Sequence, residues 1–482
     1  MNTESATPKL DKNDPDVIVR AYKFALKPTA IQERKLRQHT GAVRFAYNHL
    51  IAQWRDDIHT RFEEKEHGVP EDELTPFSFK CSFYDIHNYW NHTKRECAPW
   101  WPEVSKNIGE DAARRAHDSI KNWLDSKSGK RKGGRVGFPR FHKRRYHESC
   151  TFWAEPLRVN PDRYSVTLPL IGTVKTYENT RGLQRKIAKG TARIFRATIS
   201  RGFNYWHVSF TVYEKKRIPE THQNPGSVVG IDMGVGNHVI VAANPHGDEV
   251  MRRGLPTTIS DHDKRIRHLQ RKTSRKRGPD TRTKTTPSNR WIRANNQVRK
   301  YHNTMANVRH DFAAKAAHDV ARNYETVVIE DLNVRAMMAR GGAYKRGLNR
   351  AIAQASFADL RRRITYKTHW NGGTTIVADR WFPSSKTCSG CGEVKSKLSL
   401  SEREYMCHRC GIVVDRDLNA ATNLAKLAVP KSGVSNIHRT GSSPGMGRGG
   451  AGKTNSLSGG LALAGEASMV RKGLSGCKAG TR

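Results

Sequence analysis

Two CxxC pairs, Cys388/Cys391 and Cys407/Cys410, lie fifteen residues apart. That spacing suits one tetrahedral zinc ion held by four thiolates, so the segment between must fold back as a small closed module. A glycine follows each pair (CSGCG, CHRCG) and permits a tight turn. KSKLSLSEREYM between them reads as the strands of a zinc ribbon. With all four ligands supplied by protein, the ion is expected to be structural. His408 reads as a surface residue rather than a spare ligand. Four further cysteines (Cys81, Cys97, Cys150, Cys477) are scattered. A secreted disulfide framework would be denser in a shorter chain, so a reducing cytoplasm is expected.

Seven residues beyond Cys410 stands Asp417, opening the helical text DLNAATNLA. Hard carboxylates and zinc cysteines rarely serve one ion, so a second site is expected beside the first. Asp232 ends the strand-like run VVGID, and Glu330 ends TVVIE. The three acids lie 98 and 87 residues apart in the chain. An acid closing a run of buried β-branched residues is costly unless a cation holds it. If the two runs pair side by side, Asp232 and Glu330 become neighbours, and Asp417 at a helix N-terminus can face them. Clustered carboxylates of this kind suit two Mg²⁺ or Mn²⁺ ions and in-line phosphoryl displacement. Asp415 competes with Asp417. The face shared by Asp417, Ala421, Leu424 and Ala428 favours Asp417, leaving Asp415 as a cap.

The charge balance names the partner such a site would meet. Lys plus Arg total 85 against 45 Asp plus Glu, a net charge of +40 over 482 residues. That excess calls for a polyanion, and nucleic acid is the expected one. From Lys264 to Arg277 eight of fourteen residues are basic and none acidic, which makes Arg271, Lys272, Arg275, Lys276 and Arg277 candidate contacts. SKSGKRKGGRVGFPRFHKRRYH interleaves aromatics with Arg140, Lys143, Arg144 and Arg145, a pattern suited to backbone and base contacts. No run of 18 apolar residues exists, so no membrane span is expected, and the polar start does not read as a signal peptide.

Periodicity divides the chain. Residues 1–16 are polar and read as disordered. Residues 17–26 read as a strand, Pro28 and Thr29 open a helix, and helical text rich in aromatics runs to about residue 125. TFWAEPLRV, YSVTLPL, ARIFRATIS and YWHVSFTVY then read as short strands. With the first strand they make a small β-barrel split by a helical insertion. SVVGIDMGVGNHVIVAAN begins a second domain as a hairpin, followed by an amphipathic helix from Ala294 to Val320, a further helix over 352–368 and the strand TTIVADRWF. Of the last 52 residues thirteen are glycine and only Glu466 is acidic, which reads as a disordered basic tail.

GIDMG, VIEDL, FPSSKTCSGCG, CHRCG and DRDLNAATNLA, in this order, resemble the TnpB proteins of insertion elements and the compact type V CRISPR effectors. YKFALKPTAIQERKL and GFPRF resemble the N-terminal patterns of that family, and the likeness covers about residues 17–430. The resemblance implies an α/β multidomain protein. Its parts would be a wedge-like β-barrel (17–30 and 126–218) interrupted by a helical recognition lobe (31–125), and an RNase H-like RuvC domain (226–381 and 411–430) carrying a zinc ribbon (382–410). The tail, 431–482, departs from the family core. It further implies a Mg²⁺-dependent, RNA-guided DNA endonuclease. Guide RNA and double-stranded target DNA would be its partners, with one protein per guide RNA in a prokaryotic cytoplasm near the nucleoid. Asp232, Glu330 and Asp417 match the RuvC acids, and the four cysteines match the ribbon. A non-catalytic zinc-ribbon regulator and a DNA transposase are the competing readings.

Overall fold

The computed structural model describes residues 10–429, apart from 11–12, 15, 132, 145–147, 154–156, 217, 281, 340–344 and 400–401. The expected tail, Cys477, Arg145 and most of the polar N-terminus lie outside the described residues.

Strand β1 (Val17–Lys27) enters helix α1 (Ala30–Glu66) through a reciprocal cap: Thr29 Oγ1 accepts from the Gln32 amide at 3.3 Å, and Gln32 Oε1 accepts from the Thr29 amide at 3.0 Å. Helices α2 (Phe83–Cys97) and α3 (Asn107–Lys127) complete the helical insertion. Most of its aromatics pack inward: Tyr47, Trp54 and Trp90 are buried and Trp101 meets Trp90 edge-on, but Tyr84, Phe62 and Trp100 are exposed, against the expectation that such residues all fill the core.

The chain then returns to β1. Strands β2 (Ser149–Phe152), β3 (Arg158–Val159), β4 (Ser165–Leu168) and β5 (Gly172–Thr176) lead to helix α4 (Arg181–Ala188), then β6 (Ala192–Arg201) and β7 (Trp206–Lys215). They form the seven-stranded antiparallel sheet of the N-terminal β-barrel, in the order β2-β6-β7-β1-β5-β4-β3. In β7 the period of two turns Trp206, Val208, Phe210 and Val212 inward, and Glu214 with them. A buried carboxylate needs compensation, and Glu214 has it. Tyr22 donates its hydroxyl at 2.5 Å, Lys186 donates its ammonium, and Arg20 stands 3.7 Å away. Burial works against the ionised form, but these partners hold the Glu214 carboxyl below its usual range.

A second sheet follows: β8 (Val228–Asp232), β9 (Ile240–Ala243) and β10 (Glu249–Arg253), then β11 (Thr326–Ile329) and β12 (Thr374–Val377). Its order is β10-β9-β8-β11-β12, antiparallel through the first three strands and parallel from β8 onward. Between β10 and β11 a hairpin of α5 (Thr257–Ser274) and α6 (Asn289–Asn323) closes on Ile259, Ile266, Val298 and Met305. After β11 come α7 (Val334–Ala339), α8 (Arg346–Ala355) and α9 (Phe357–Trp370). Strands β13 (Glu404–Met406) and β14 (Val413–Asp415) form the ribbon hairpin, and α10 (Arg416–Lys426) ends the described fold. This is an RNase H-like sheet with a ribbon inserted between β12 and α10.

Three local expectations change. The single helix over 352–368 is two helices, because Ser356 adopts a left-handed φ of 52° and breaks α8 from α9. The basic helix ends at Ser274, so Arg275 caps it and Lys276 and Arg277 lie in the following turn. The ribbon also runs past Cys410: β14 pairs with β13 from Met406↔Val413 to Glu404↔Asp415, so the link to α10 is itself a ribbon strand. Among the described residues no helix is long and apolar enough to cross a membrane.

Candidate functional site

The acids are positioned by strand register. β11 pairs with β8 in parallel through Val327↔Val229, Val328↔Gly230 and Ile329↔Ile231. One step further sets Glu330 beside Asp232. Val229, Ile231, Val327 and Ile329 face the core under α6 and α9. By strict alternation Gly230, Asp232, Val328 and Glu330 face the other side. Helix α10 covers that side, with Ala421 against Val241 and Ala243, and Leu424 against Val328 and Ala378.

Gly230 makes this contact possible. A Cβ there would lie 2.1 Å from the Ala421 carbonyl oxygen and 2.3 Å from the Ala425 amide nitrogen. Only glycine lets the α10 backbone rest directly on β8. The small face of α10 therefore docks at fixed depth, and Asp417 in its first turn reaches the ends of β8 and β11.

Asp232, Glu330 and Asp417 share this end. Burial pushes the Asp232 carboxyl well above the usual carboxylate range, and the negative charges of Glu330 and Asp417 push it further, against the pull of Arg416. Burial also raises Glu330, partly offset by a 2.6 Å hydrogen bond donated by the Ser384 hydroxyl. Among the described residues neither Asp232 nor Asp417 has an ion pair or a side-chain hydrogen bond. Asp232 is enclosed on most sides yet retains some accessible surface. Clustered, part-buried acids that have no ion pair among the described residues, in a chain of +40, are a donor set suited to added cations.

Asp415 stands differently. It caps α10, accepting from the Asp417 amide at 3.1 Å and the Leu418 amide at 3.0 Å, and Arg252 donates to it at 3.0 Å. Burial raises its pKa, but the Leu418 amide and Arg252 outweigh that and hold it below the usual value.

The four cysteines meet. Cys388 and Cys410 sulfurs are 3.6 Å apart, as are those of Cys391 and Cys407. A tetrahedron with Zn–S bonds of about 2.3 Å has edges of about 3.8 Å, so the sulfurs fit a zinc ion. Among the described residues this is the one set of three or more possible ligand groups whose atoms lie within 4.8 Å of one another. The carboxylates of Asp232, Glu330 and Asp417 do not meet that spacing. Backbone amides of Cys410 and Arg409 hold the Cys407 thiol down to about 6, a thiolate at neutral pH. Cys391 goes the other way: a backbone hydrogen bond from Glu393 pulls it down, but burial and the sulfurs of Cys410, Cys407 and Cys388 push it up to about 12. Four anionic sulfurs this close need a cation before all can ionise.

The ribbon is bolted to the acidic site. Asn419 Nδ2 donates to the Thr387 carbonyl at 2.7 Å, and its Oδ1 accepts from the Ser389 amide at 2.8 Å. Asn423 Nδ2 donates to the Ser384 carbonyl at 2.8 Å and to the Thr387 carbonyl at 2.6 Å. Both asparagines and Ser384 are buried, and none was singled out by sequence. A polar i, i+4 pair on the buried face of a small-residue helix was the available signal.

The basic candidates fall in two places. Arg140, Lys143 and Arg144 are exposed on the loop before β2, which Asn48 straps to α1 through both backbone polar groups of His142. Arg271, Lys272, Arg275 and Arg277 are exposed at the tip of the α5–α6 hairpin, and Lys276 is half-buried. Among the described residues none of these eight side chains has an ion-pair partner.

An RNase H-like sheet carrying clustered acids, with an inserted four-cysteine ribbon, defines a nuclease class. Family models match three parts of the chain: "Cas12f1-like, TNB domain" over residues 357–424, "Probable transposase" over 210–340 and "Helix-turn-helix domain" over 18–61. In the last segment the chain forms β1 and most of α1 rather than two helices. "Putative RNA-guided DNA endonuclease Rv2885c" of Mycobacterium tuberculosis is 33% identical over 449 residues, spanning 89% of this chain and 93% of the relative. "Putative RNA-guided DNA endonuclease InsQ" of Escherichia coli is 25% identical over 416 residues, 84% of this chain and 91% of the relative. "TnpB-like protein L79" of Acanthamoeba polyphaga mimivirus is 33% identical over 150 residues, 30% of this chain and 28% of the relative. The chain belongs to the TnpB-like family of RNA-guided DNA endonucleases.

Proposed function

We propose that this chain cuts target DNA at Asp232, Glu330 and Asp417, after a bound guide RNA pairs with one strand beside a short duplex motif. The observation that carries the reading is the placement of three acids, without cationic partners, at one end of β8, β11 and α10 in a strongly basic chain. Two Mg²⁺ ions, or Mn²⁺, are the cations this donor set fits, and when bound they stabilise the attacking and leaving oxygens of phosphodiester hydrolysis. Asp232 and Glu330 offer carboxylate oxygens from a rigid sheet. Asp417 offers its own from the first turn of a helix whose depth Gly230 fixes. Ser384 orients Glu330. The cysteines hold one structural Zn²⁺.

The antiparallel sheet and the α1–α3 unit serve as wedge and recognition lobe, and sequence choice lies mainly with base pairing. The hairpin-tip residues Arg271, Lys272, Arg275, Lys276 and Arg277, and the loop residues Arg140, Lys143, Arg144 and Arg145, contact backbone phosphates. The working form is one protein per guide RNA, in the cytoplasm at the nucleoid.

The test is to purify the protein with its RNA, sequence that RNA, and assay duplex DNA carrying the matching target. One defined RNA species and cleavage that needs a divalent ion are expected. Binding without cleavage under any guide points to a regulator, and joining of DNA ends points to a transposase. Alanine at the five hairpin-tip residues should weaken nucleic-acid binding and flatten its salt dependence.

A further inference from the structure

A cleft of about 310 Å³ opens where α1 and α3 meet the loop before β2, on elements that contribute nothing to the acidic site. Arg37, Arg44, Arg115 and Arg144 line it, with Thr40 and Ser149, against one acid, Glu148. Arg37, Thr40, Gly41 and Arg44 follow i, i+3, i+4, i+7 spacing, so α1 presents them as one stripe.

Two of the four arginines are already matched. Arg37 pairs with Glu33 at 2.7 Å, and Arg115 with Asp111 at 2.8 Å and Ser149 at 3.2 Å. Glu148 is 3.4 Å from Arg201. The side chains of Arg44, half-buried, and Arg144, exposed, have no hydrogen bond or ion pair among the described residues. Guanidinium groups gathered in one cleft repel one another unless an anion joins them.

Gly41 is the second observation. A glycine inside a helix costs about 1 kcal/mol relative to alanine. No packing need explains this one, because a Cβ at Gly41 would meet nothing within 4 Å. Its missing side chain leaves space at the floor of the arginine cleft.

The geometry points to a binding site for a backbone phosphate of a nucleic-acid strand, gripped by Arg44 and Arg144 and admitted by Gly41. The planar guanidinium fork suits phosphate oxygens, and the Ser149 hydroxyl, which accepts from Arg115, can donate its own proton to the same group, whereas Thr40 donates to the Arg37 carbonyl. The inference rests on the nucleic-acid-binding part of the functional reading, and not on catalysis.

Three variants of the full chain test it: Arg44→Gln, Arg144→Ala and Gly41→Leu. Each is titrated against the RNA that copurifies with wild type, a synthetic single-stranded RNA of random sequence, and duplex DNA, over a salt series. Arg44→Gln and Arg144→Ala should each weaken binding roughly tenfold. Each should also reduce the salt slope by about 0.7 on a single strand. Gly41→Leu removes no charge and adds a good helix former, so its melting temperature should hold or rise while affinity falls. Loss confined to the RNAs assigns the phosphate to the guide, and loss confined to duplex DNA assigns it to the target. Wild-type affinity in all three variants, with wild type itself binding normally, overturns the cleft and leaves the nuclease reading intact. A wild type that binds none of the three nucleic acids overturns both.

Discussion

Ser384 donates its hydroxyl to Glu330 Oε1 at 2.6 Å, while the Ser384 carbonyl accepts from Asn423 of α10. One buried serine thus ties a candidate catalytic acid to the helix that carries another and to the loop that opens the zinc ribbon. Ser384→Ala removes a hydrogen bond to a charged group, worth about 1.5–3 kcal/mol. If the bond holds Glu330 in its working orientation, single-turnover cleavage should fall roughly tenfold to hundredfold, with guide RNA binding unchanged. Cleavage at the wild-type rate would show that Glu330 needs no such support.

Asp415 and Asp417 should separate cleanly. Asp417→Ala removes a carboxylate without a protein partner and should abolish detectable cleavage while the fold persists. Asp415→Ala removes the α10 cap, at a cost of about 1 kcal/mol, together with the Arg252 pair. It should lower the melting temperature and impair cleavage far less. The reverse pattern would transfer the catalytic role to Asp415.

At Gly230 the expectation concerns depth of docking. The added Cβ of Gly230→Ala would collide with backbone atoms at 2.1 and 2.3 Å, which no side-chain rotation relieves. Overpacking of this kind costs about 1–3 kcal/mol or more. Melting temperature and cleavage should fall together, because α10 carries Asp417 with it. A variant as stable and as active as wild type would mean that α10 does not rest on β8 as described.

How much of this was legible beforehand depends on the kind of signal. Cysteine spacing announced the ribbon, since four ligands at fixed offsets have few other uses. Runs of β-branched residues ending in an acid announced β8 and β11. The split β-unit followed from alternation, as in β7, but β5 and α4 went unread, being short and weakly patterned. Ser356 gave no warning of the break between α8 and α9, because a left-handed serine looks like any other helix serine. Ser384, Asn419 and Asn423 were invisible for a related reason. Their roles depend on which carbonyls and carboxylates the fold brings within reach, and those partners are tens of residues away or fixed only by docking. The arginine stripe on α1 needed the loop before β2 to become a cleft.

Zinc removal should act on the ribbon first. Chelation leaves four sulfurs that cannot all ionise, so residues 384–415 should loosen, and the Ser384 and Asn423 contacts with them. Stoichiometric zinc in the purified protein, and loss of cleavage on its removal with partial recovery on return, are expected. Full cleavage by a zinc-free protein would separate the ribbon from the acidic site.

The most direct measurement compares wild type and Asp232→Ala, each loaded with the same guide RNA, on a matching duplex with Mg²⁺ and with chelator. Both proteins should bind the target equally, and only wild type with Mg²⁺ should cut it. Cleavage by Asp232→Ala at the wild-type rate, or cleavage by wild type in chelator, would contradict the account.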